Sequence, residues 1–325
     1  MERIWSSERG SMEVIGMAEK KVYSKLGDMI AKGEFVLTGE LEPEKTCDLS
    51  HTIQEAREMA PYVVAANVTD SPLAIVTINS MAASHIIQRE TGLECVWQLT
   101  VRDCNKIGIA GQIMGAQALG LNNILSLTGD HTALGDCPES KPVFDLDSAT
   151  LIKLIREMVD KGSINGHEIE HPPKMHVGGA ANPNADPMEA EILKIGRKAE
   201  AGVEFIQTQV VYDIDMTIEF LREIKKYNVP VFLGIFPMKS YGIAKGFDTF
   251  VPGVDVPKDI LERWKRVKTD VTDKKEQKDT YDQLNYEFFK PFITELKSKG
   301  LLSGVHCMAV HYTRIFPKLV EVVKG

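Results

Sequence analysis

No apolar run in this 325-residue chain approaches the roughly 20 residues needed to cross a bilayer; a stretch such as "APYVVAANV" is far too short. Basic residues are not in excess either. Thirty-eight Lys and Arg face 46 Asp and Glu, and the net charge of −8 leaves no electrostatic footprint for nucleic acid. Cysteine is sparse: Cys47, Cys95, Cys104, Cys137 and Cys307 are scattered, odd in number and form no C-x-x-C. That pattern argues against a disulfide framework or an iron–sulfur site built by this chain alone, and a reduced cytoplasmic protein is expected. The first sixteen residues, "MERIWSSERGSMEVIG", lack the apolar core of a signal peptide and are expected to be a disordered leader. What remains, 17–325, has 43% hydrophobic and 26% charged residues across the chain and is expected to fold as one domain.

The apolar residues are arranged with a rhythm. Short runs rich in Val and Ile occur at 34–41, 62–70, 94–101, 122–130, 174–181, 204–211, 229–237 and 304–310. Amphipathic stretches such as "SATLIKLIREMVDKG" separate them, and Gly92, Gly162, Gly202 and Gly300 stand where helices should end. Strands alternating with helices argue for a parallel sheet with right-handed crossovers. About eight units without a second composition block predict a closed (β/α)8 TIM-type barrel with loop and helix insertions at 131–146, 163–173 and 238–303. An open doubly wound sheet is the competing arrangement, although no G-x-G-x-x-G follows the first strand.

One stretch invites a metal reading. His167-Glu168-Ile169-Glu170-His171 is a literal H-E-x-x-H, which binds zinc only when both imidazoles project from one helix face. Gly162 and Gly166 precede it and Pro172-Pro173 follow, so His171 is driven toward extended backbone. The segment is expected to be a solvated polar loop between a helix end and the next strand, and no metal is assigned.

In a barrel the chemistry belongs at the C-terminal ends of the strands. Those ends carry Glu40, Thr69-Asp70, Gln98 followed by Arg102-Asp103, Thr128-Gly129-Asp130, the 178–184 segment, Thr208-Gln209 and His306. This lining of amides and carboxylates suits a heteroaromatic ring with many donors and acceptors. It offers no Ser-His-Asp set and no strand-end lysine for a Schiff base. Thr69 and Asp70 could equally be caps of the next helix, and Gly129 a turn with positive φ. Glu40 is different, because it follows "FVLTG" inside an apolar run, and a carboxylate there should have a task.

The segments "GELEPEK", "NVTDSP", "QLTVRDCN", "LSLTGD", "GGAANPN", "RKAEAGVEFIQTQVVYD", "FLGIFPMKS" and "VPGV" occur in the order found in the methylenetetrahydrofolate reductases. Over about 34–310 the chain resembles that family, especially the branch with R-D-R-N after strand three and N-P-N after strand five. The resemblance implies a flavoprotein oxidoreductase of one-carbon metabolism that reduces 5,10-methylenetetrahydrofolate, or a related methylene-tetrahydropterin, to the 5-methyl form. It implies two catalytic residues, Glu40, which protonates the leaving N10, and Asp130, which lies near both flavin and pterin, and it implies that both contact substrate together with Gln209 and Tyr241. Flavin contacts are implied for Thr69, Asp70, Gln98, Arg102, Thr128, Gly129, Asp130, Asp147, Ala180, Asn182, Asp186, Arg197 and Lys198, the last two toward the phosphate.

The chain departs from the best-known bacterial members, which have Arg at Thr128, His at Gln98, Tyr at Asn182 and His at Asp186. Cys104 replaces the second Arg of R-D-R-N. FAD is the first expectation and FMN the second. The electron donor is NAD(P)H or an iron–sulfur partner subunit, so a homo-oligomer or a hetero-complex is expected. A flavin-free pterin-binding methyltransferase barrel and a docking subunit of a larger redox complex are the alternatives.

Overall fold

A computed structural model describes residues 21–250 and 256–324. The expected leader at 1–16 and the "VPGV" segment at 251–254 lie outside the described residues. A short helix, α1 (Lys25–Lys32), precedes β1 (Val36–Leu41), α2 (Ser50–Met59), β2 (Ala65–Val68), α3 (Ser80–Thr91), β3 (Glu94–Thr100), α4 (Lys106–Ala118), β4 (Asn123–Leu127) and α5 (Ser148–Asp160). A hairpin of β5 (Ser163–Ile164) and β6 (His167–Glu168) follows. The chain continues through β7 (His176–Ala181), α6 (Met188–Glu200), β8 (Phe205–Thr208), α7 (Ile214–Ile224), β9 (Val231–Ile235), α8 (Tyr241–Phe250), α9 (Lys258–Asp270), α10 (Lys274–Ser298), β10 (Gly304–Cys307) and α11 (Phe316–Lys324).

Eight strands close in the order β1-β10-β9-β8-β7-β4-β3-β2, every neighbouring pair parallel. This is the (β/α)8 barrel the rhythm predicts. The pairing of β1 with β10 closes the ring and removes the open-sheet alternative. All eight apolar runs became barrel strands. Gly92 and Gly300 end α3 and α10 with φ of 70° and 62°, a conformation that costs a side-chain-bearing residue far more. The 238–303 interval holds three helices rather than one, because "FDTF" extends α8 and "KDILERWKRVKTD" forms α9.

The barrel interior is layered. Toward the N-terminal ends of the strands, Val36, Ala65, Val96, Leu125, Phe205 and Phe232 form a separate apolar cluster with Leu26 of α1. The Phe205 and Phe232 rings stack 5.3 Å apart. They fit because neighbouring positions have no side chain. A Cβ at Gly178 would run into Phe205, and one at Gly304 would press on Val36 and Phe232.

Helix α1, which the rhythm does not reveal, plugs this end. Glu94 accepts from the N–H groups of Lys25 and Leu26 at 2.8 and 3.0 Å, and the N–H of Tyr23 donates to His176 Nε2 at 2.9 Å. His176 is held in turn by Glu204, 3.0 Å away, which also accepts from Arg156 and from the N–H of Val177. Burial alone would raise the Glu204 pKa. The hydrogen bond and charge of His176, with Arg156 and Val177, outweigh it and hold the carboxyl below its usual range.

An acid-linked loss of stability follows. A carboxyl whose pKa is depressed on folding contributes stability that is fully present above its unfolded value, near ~4.3, and lost as pH falls through the lower folded value. Glu204→Gln should therefore lower stability at neutral pH by about 1–3 kcal/mol. In urea titrations the gap to wild type should narrow as pH falls below about 4.3. A gap that stays constant with pH would show that the Glu204 charge does not matter.

Candidate active site

Above the apolar layer the inward-facing residues turn polar and bond to one another. Asn67 and Gln207 exchange two amide hydrogen bonds, at 2.7 and 3.1 Å. Gln207 Nε2 reaches Thr38 Oγ1 at 3.5 Å, and Thr38 Oγ1 lies 3.0 Å from His306 Nδ1. The network ends on Glu40. Gln98 Nε2 donates to Glu40 Oε2 at 3.2 Å, and His306 Nε2 lies 3.4 Å from the same oxygen. Both contacts fall on Oε2, so Glu40 Oε1 has no hydrogen-bond partner among the described residues. A buried network of this kind fixes its members in place. Here it aims one carboxylate oxygen at the space above.

That space is a cavity of about 440 Å³, within the usual range for a small-molecule site. Glu40, Gln98, Ser126, Thr128, Gln207, Gln209 and His306 line one part of it. Lys194, Arg197 and Lys198, side by side on α6, line another. Helix α6 follows β7, which stands four strands from β1 around the ring, so acid and cations belong to opposite walls.

The cations are held in different ways. Arg197 pairs with Asp147 at 2.8 Å, and Lys194 with Glu191 at 3.2 Å. Lys198 is buried and its ammonium meets the carbonyl of Ala180. Burial pushes the Lys198 pKa down, with Lys194 adding to the effect and Glu191 and Asp147 opposing it. Asp147 is the N-cap of α5. Burial would raise its carboxyl, but hydrogen bonds from Thr150 and Arg197 hold it below its usual value.

The residues singled out in the sequence divide into two groups and two outliers. Glu40, Gln98, Thr128, Asp147, Ala180, Asn182, Arg197, Lys198 and Gln209 all line the cavity. Thr69, Asp70, Arg102, Gly129 and Asp130 gather instead on a shelf of the rim formed by the loops after β2, β3 and β4. There Asp70 accepts from the N–H and hydroxyl of Thr100, Arg102 donates to the carbonyls of Ser71 and Asp130, and Asp130 accepts from the N–H of Leu73. Burial raises the Asp70 pKa against those two bonds from Thr100. Asp186 is exposed in the loop before α6, and Tyr241 begins α8 beneath the Lys268 ammonium; neither lines the cavity.

Sequence reasoning missed Lys194, Ser126 and the Thr38–Asn67–Gln207 chain. The last was signalled by polar residues at alternate positions within buried strands. The H-E-x-x-H segment is not helical: His167 and Glu168 lie in the exposed β6, and the His171 side chain is 93% exposed.

A flavin would suit this cavity. Among the described residues Gln98 Oε1 and Gln209 Nε2 have no hydrogen-bond partner, so the cavity offers a heteroaromatic ring an acceptor and a donor. The α6 cations match a phosphate.

Fold and cavity together place the chain among (β/α)8 proteins with a polar cavity at the mouth of the barrel. More specifically, it belongs to the family described as methylenetetrahydrofolate reductase, whose pattern matches residues 25–324. "Methylenetetrahydrofolate reductase 2" of Schizosaccharomyces pombe is 27% identical over 255 residues, which make up 75% of this chain and 39% of that protein. "5,10-methylenetetrahydrofolate reductase" of Salmonella typhimurium is 26% identical over 164 residues, 50% of each. The chain thus spans half or less of the length of these curated relatives. Among solved structures, a Clostridium thermocellum protein described as binding two copies of 5-methyl-5,6,7,8-tetrahydrofolic acid shares the fold. Its TM-score is 0.61 at 16% identity, covering 93% of this chain and 98% of that one.

No helix among the described residues is long and apolar enough to cross a membrane.

Proposed function

We propose that this chain reduces 5,10-methylenetetrahydrofolate, or a close methylene-tetrahydropterin, to its 5-methyl form, using a flavin held in the barrel mouth. The observation that carries the reading is the single cavity that joins the Glu40 network to the α6 cation row. Membership of the family and the fold shared with a methyltetrahydrofolate-binding protein support it.

The residues divide the work. Lys198, Arg197 and Lys194 would hold the flavin phosphate, while Thr128, Gln98 and Gln209 would meet polar atoms of the ring systems. When bound, the flavin supplies the hydride for the methylene carbon. Glu40 does what the cofactor does not. With Oε2 fixed by Gln98 and His306, Oε1 can deliver a proton to N10 of the carrier, opening the ring to the reactive iminium. Gln209 at the end of β8 is positioned to orient the pterin.

FAD stands ahead of FMN, as the resemblance to the family implies, although Gln98, Thr128 and Asn182, where the chain departs from the best-known members, all line the cavity. NAD(P)H or an iron–sulfur partner subunit is the electron source, and reduced cytoplasm the setting. All five cysteines are free.

The protein should purify yellow, or take up flavin stoichiometrically when reconstituted, as read from its visible spectrum. A colourless protein that binds neither FAD nor FMN yet binds the pterin would instead favour the flavin-free methyltransferase barrel.

A further inference from the structure

Beside the cavity, on the same face of the barrel, three side chains from opposite ends of the chain converge. His51 and Glu55 stand one turn apart near the start of α2, so both project from one side of the helix. His311 comes from the turn after β10. Its Nδ1 lies 2.9 Å from Glu55 Oε1, and His51 Nδ1 lies 3.9 Å from Glu55 Oε2. The two imidazole centroids are 5.2 Å apart. One nitrogen or oxygen from each of the three residues lies within 4.8 Å of the others.

Two further observations set this cluster apart from an ordinary surface histidine pair. His311 has φ of 52°, in the left-handed region that a non-glycine residue enters only when its surroundings hold it there. Lys239 Nζ supplies part of that hold, donating to the carbonyls of Val310 and His311 at 3.3 Å each.

Glu55, moreover, is only 8% exposed, and among the described residues its ion-pair partners are the two histidines alone. Glu44 adds a carboxylate 3.9 Å from His311 Nε2. Nearby Glu42 is half-buried, and burial together with the Glu40 charge pushes its carboxyl up against the pull of His311. A buried carboxylate that pairs with no lysine or arginine, among further acids, leaves room for a bound cation.

We propose that His51, Glu55 and His311 form a binding site for one divalent transition-metal ion on the barrel rim, with water completing the shell and Glu44 facing the other ring nitrogen of His311. Two imidazoles and a carboxylate select Zn²⁺ and ions of similar softness over Mg²⁺ and Ca²⁺, which prefer all-oxygen shells. The ion would clip α2 to the turn after β10, across the seam where the first and last strands of the barrel meet. It would thereby fix the loop that runs from Glu40 to α2. No ligand spacing in the sequence betrays the site, because His311 and Glu55 are 256 residues apart. The proposal is independent of the flavin reading.

Isothermal titration of chelator-stripped protein with Zn²⁺ tests it. One Zn²⁺ per chain is expected, with no comparable heat from Mg²⁺ and a rise in melting temperature on zinc addition. His51→Ala removes an exposed ring and Glu55→Gln is nearly isosteric, so neither should disturb packing. Each should weaken zinc binding beyond the ~10–100-fold typical of a lost outer-shell partner and abolish the thermal shift. The double variant His167→Ala/His171→Ala should bind zinc as wild type does. Absence of uptake, or stoichiometric uptake that survives His51→Ala and Glu55→Gln, would overturn the proposal and leave the cluster a hydrogen-bonded His–Glu pair.

Discussion

Glu40→Gln should fold, bind flavin and accept electrons from the donor, yet reduce the methylene carrier ~10²–10⁴-fold more slowly, the loss typical of a missing general acid. The split follows from the chemistry of the two half-reactions. Electrons enter without any proton transfer at N10, whereas opening the methylene bridge requires one. Gln preserves the shape of the side chain and can still bond to Gln98 and His306, so the buried network keeps its geometry. It cannot release a proton. Stopped-flow reoxidation of pre-reduced enzyme by the methylene carrier, set beside anaerobic reduction by the donor, separates the two steps. Equal slowing of both, or of neither, would assign Glu40 a structural role.

Lys198→Met should cost FMN affinity ~10–150-fold, the equivalent of roughly 1.5–3 kcal/mol for a hydrogen bond to a charged group. The same variant should bind riboflavin as wild type does, because riboflavin carries no phosphate. Lys198 is the buried member of the α6 row, and burial has already lowered its pKa, so a phosphate there gains a poorly solvated cation. Lys194 and Arg197 are exposed and paired with acids, and their replacement should cost less. Titration of the apoprotein with each flavin, followed by fluorescence quenching, gives both affinities. Equal losses for FMN and riboflavin would mean that Lys198 supports the cavity wall rather than the phosphate.

Much of this arrangement was legible in the sequence, for identifiable reasons. A barrel strand is buried on both faces, so its apolar run is nearly continuous and stands out from amphipathic helices on either side. Glu40 was legible because it interrupts such a run. The glycine and proline neighbours of His167 and His171 were enough to argue against a zinc helix, and β6 replaces that helix in the fold.

Other features depend on tertiary placement. Lys194 reads as one more charge on a solvated helix face until the fold turns that face toward the cavity. Asp130 lies in the loop just past β4, and the sequence does not say which way its carboxylate turns. Only the loops after β2 and β4, packed together, take the Asp130 carboxylate onto the rim, where the N–H of Leu73 meets it. Helix α1 was hidden for a similar reason. Its eight residues form a stable element because Glu94 receives its first turn and His176 the N–H of Tyr23, two residues before it, at the foot of the barrel.

The most direct test of the central claim is a single turnover. Flavin-loaded enzyme is reduced chemically, freed of excess reductant, and mixed without oxygen with 5,10-methylenetetrahydrofolate, with no other electron donor present. The proposed function predicts that the flavin spectrum returns to its oxidised form and that 5-methyltetrahydrofolate appears in equal amount. A flavin that stays reduced while the methylene carrier is recovered unchanged would contradict it.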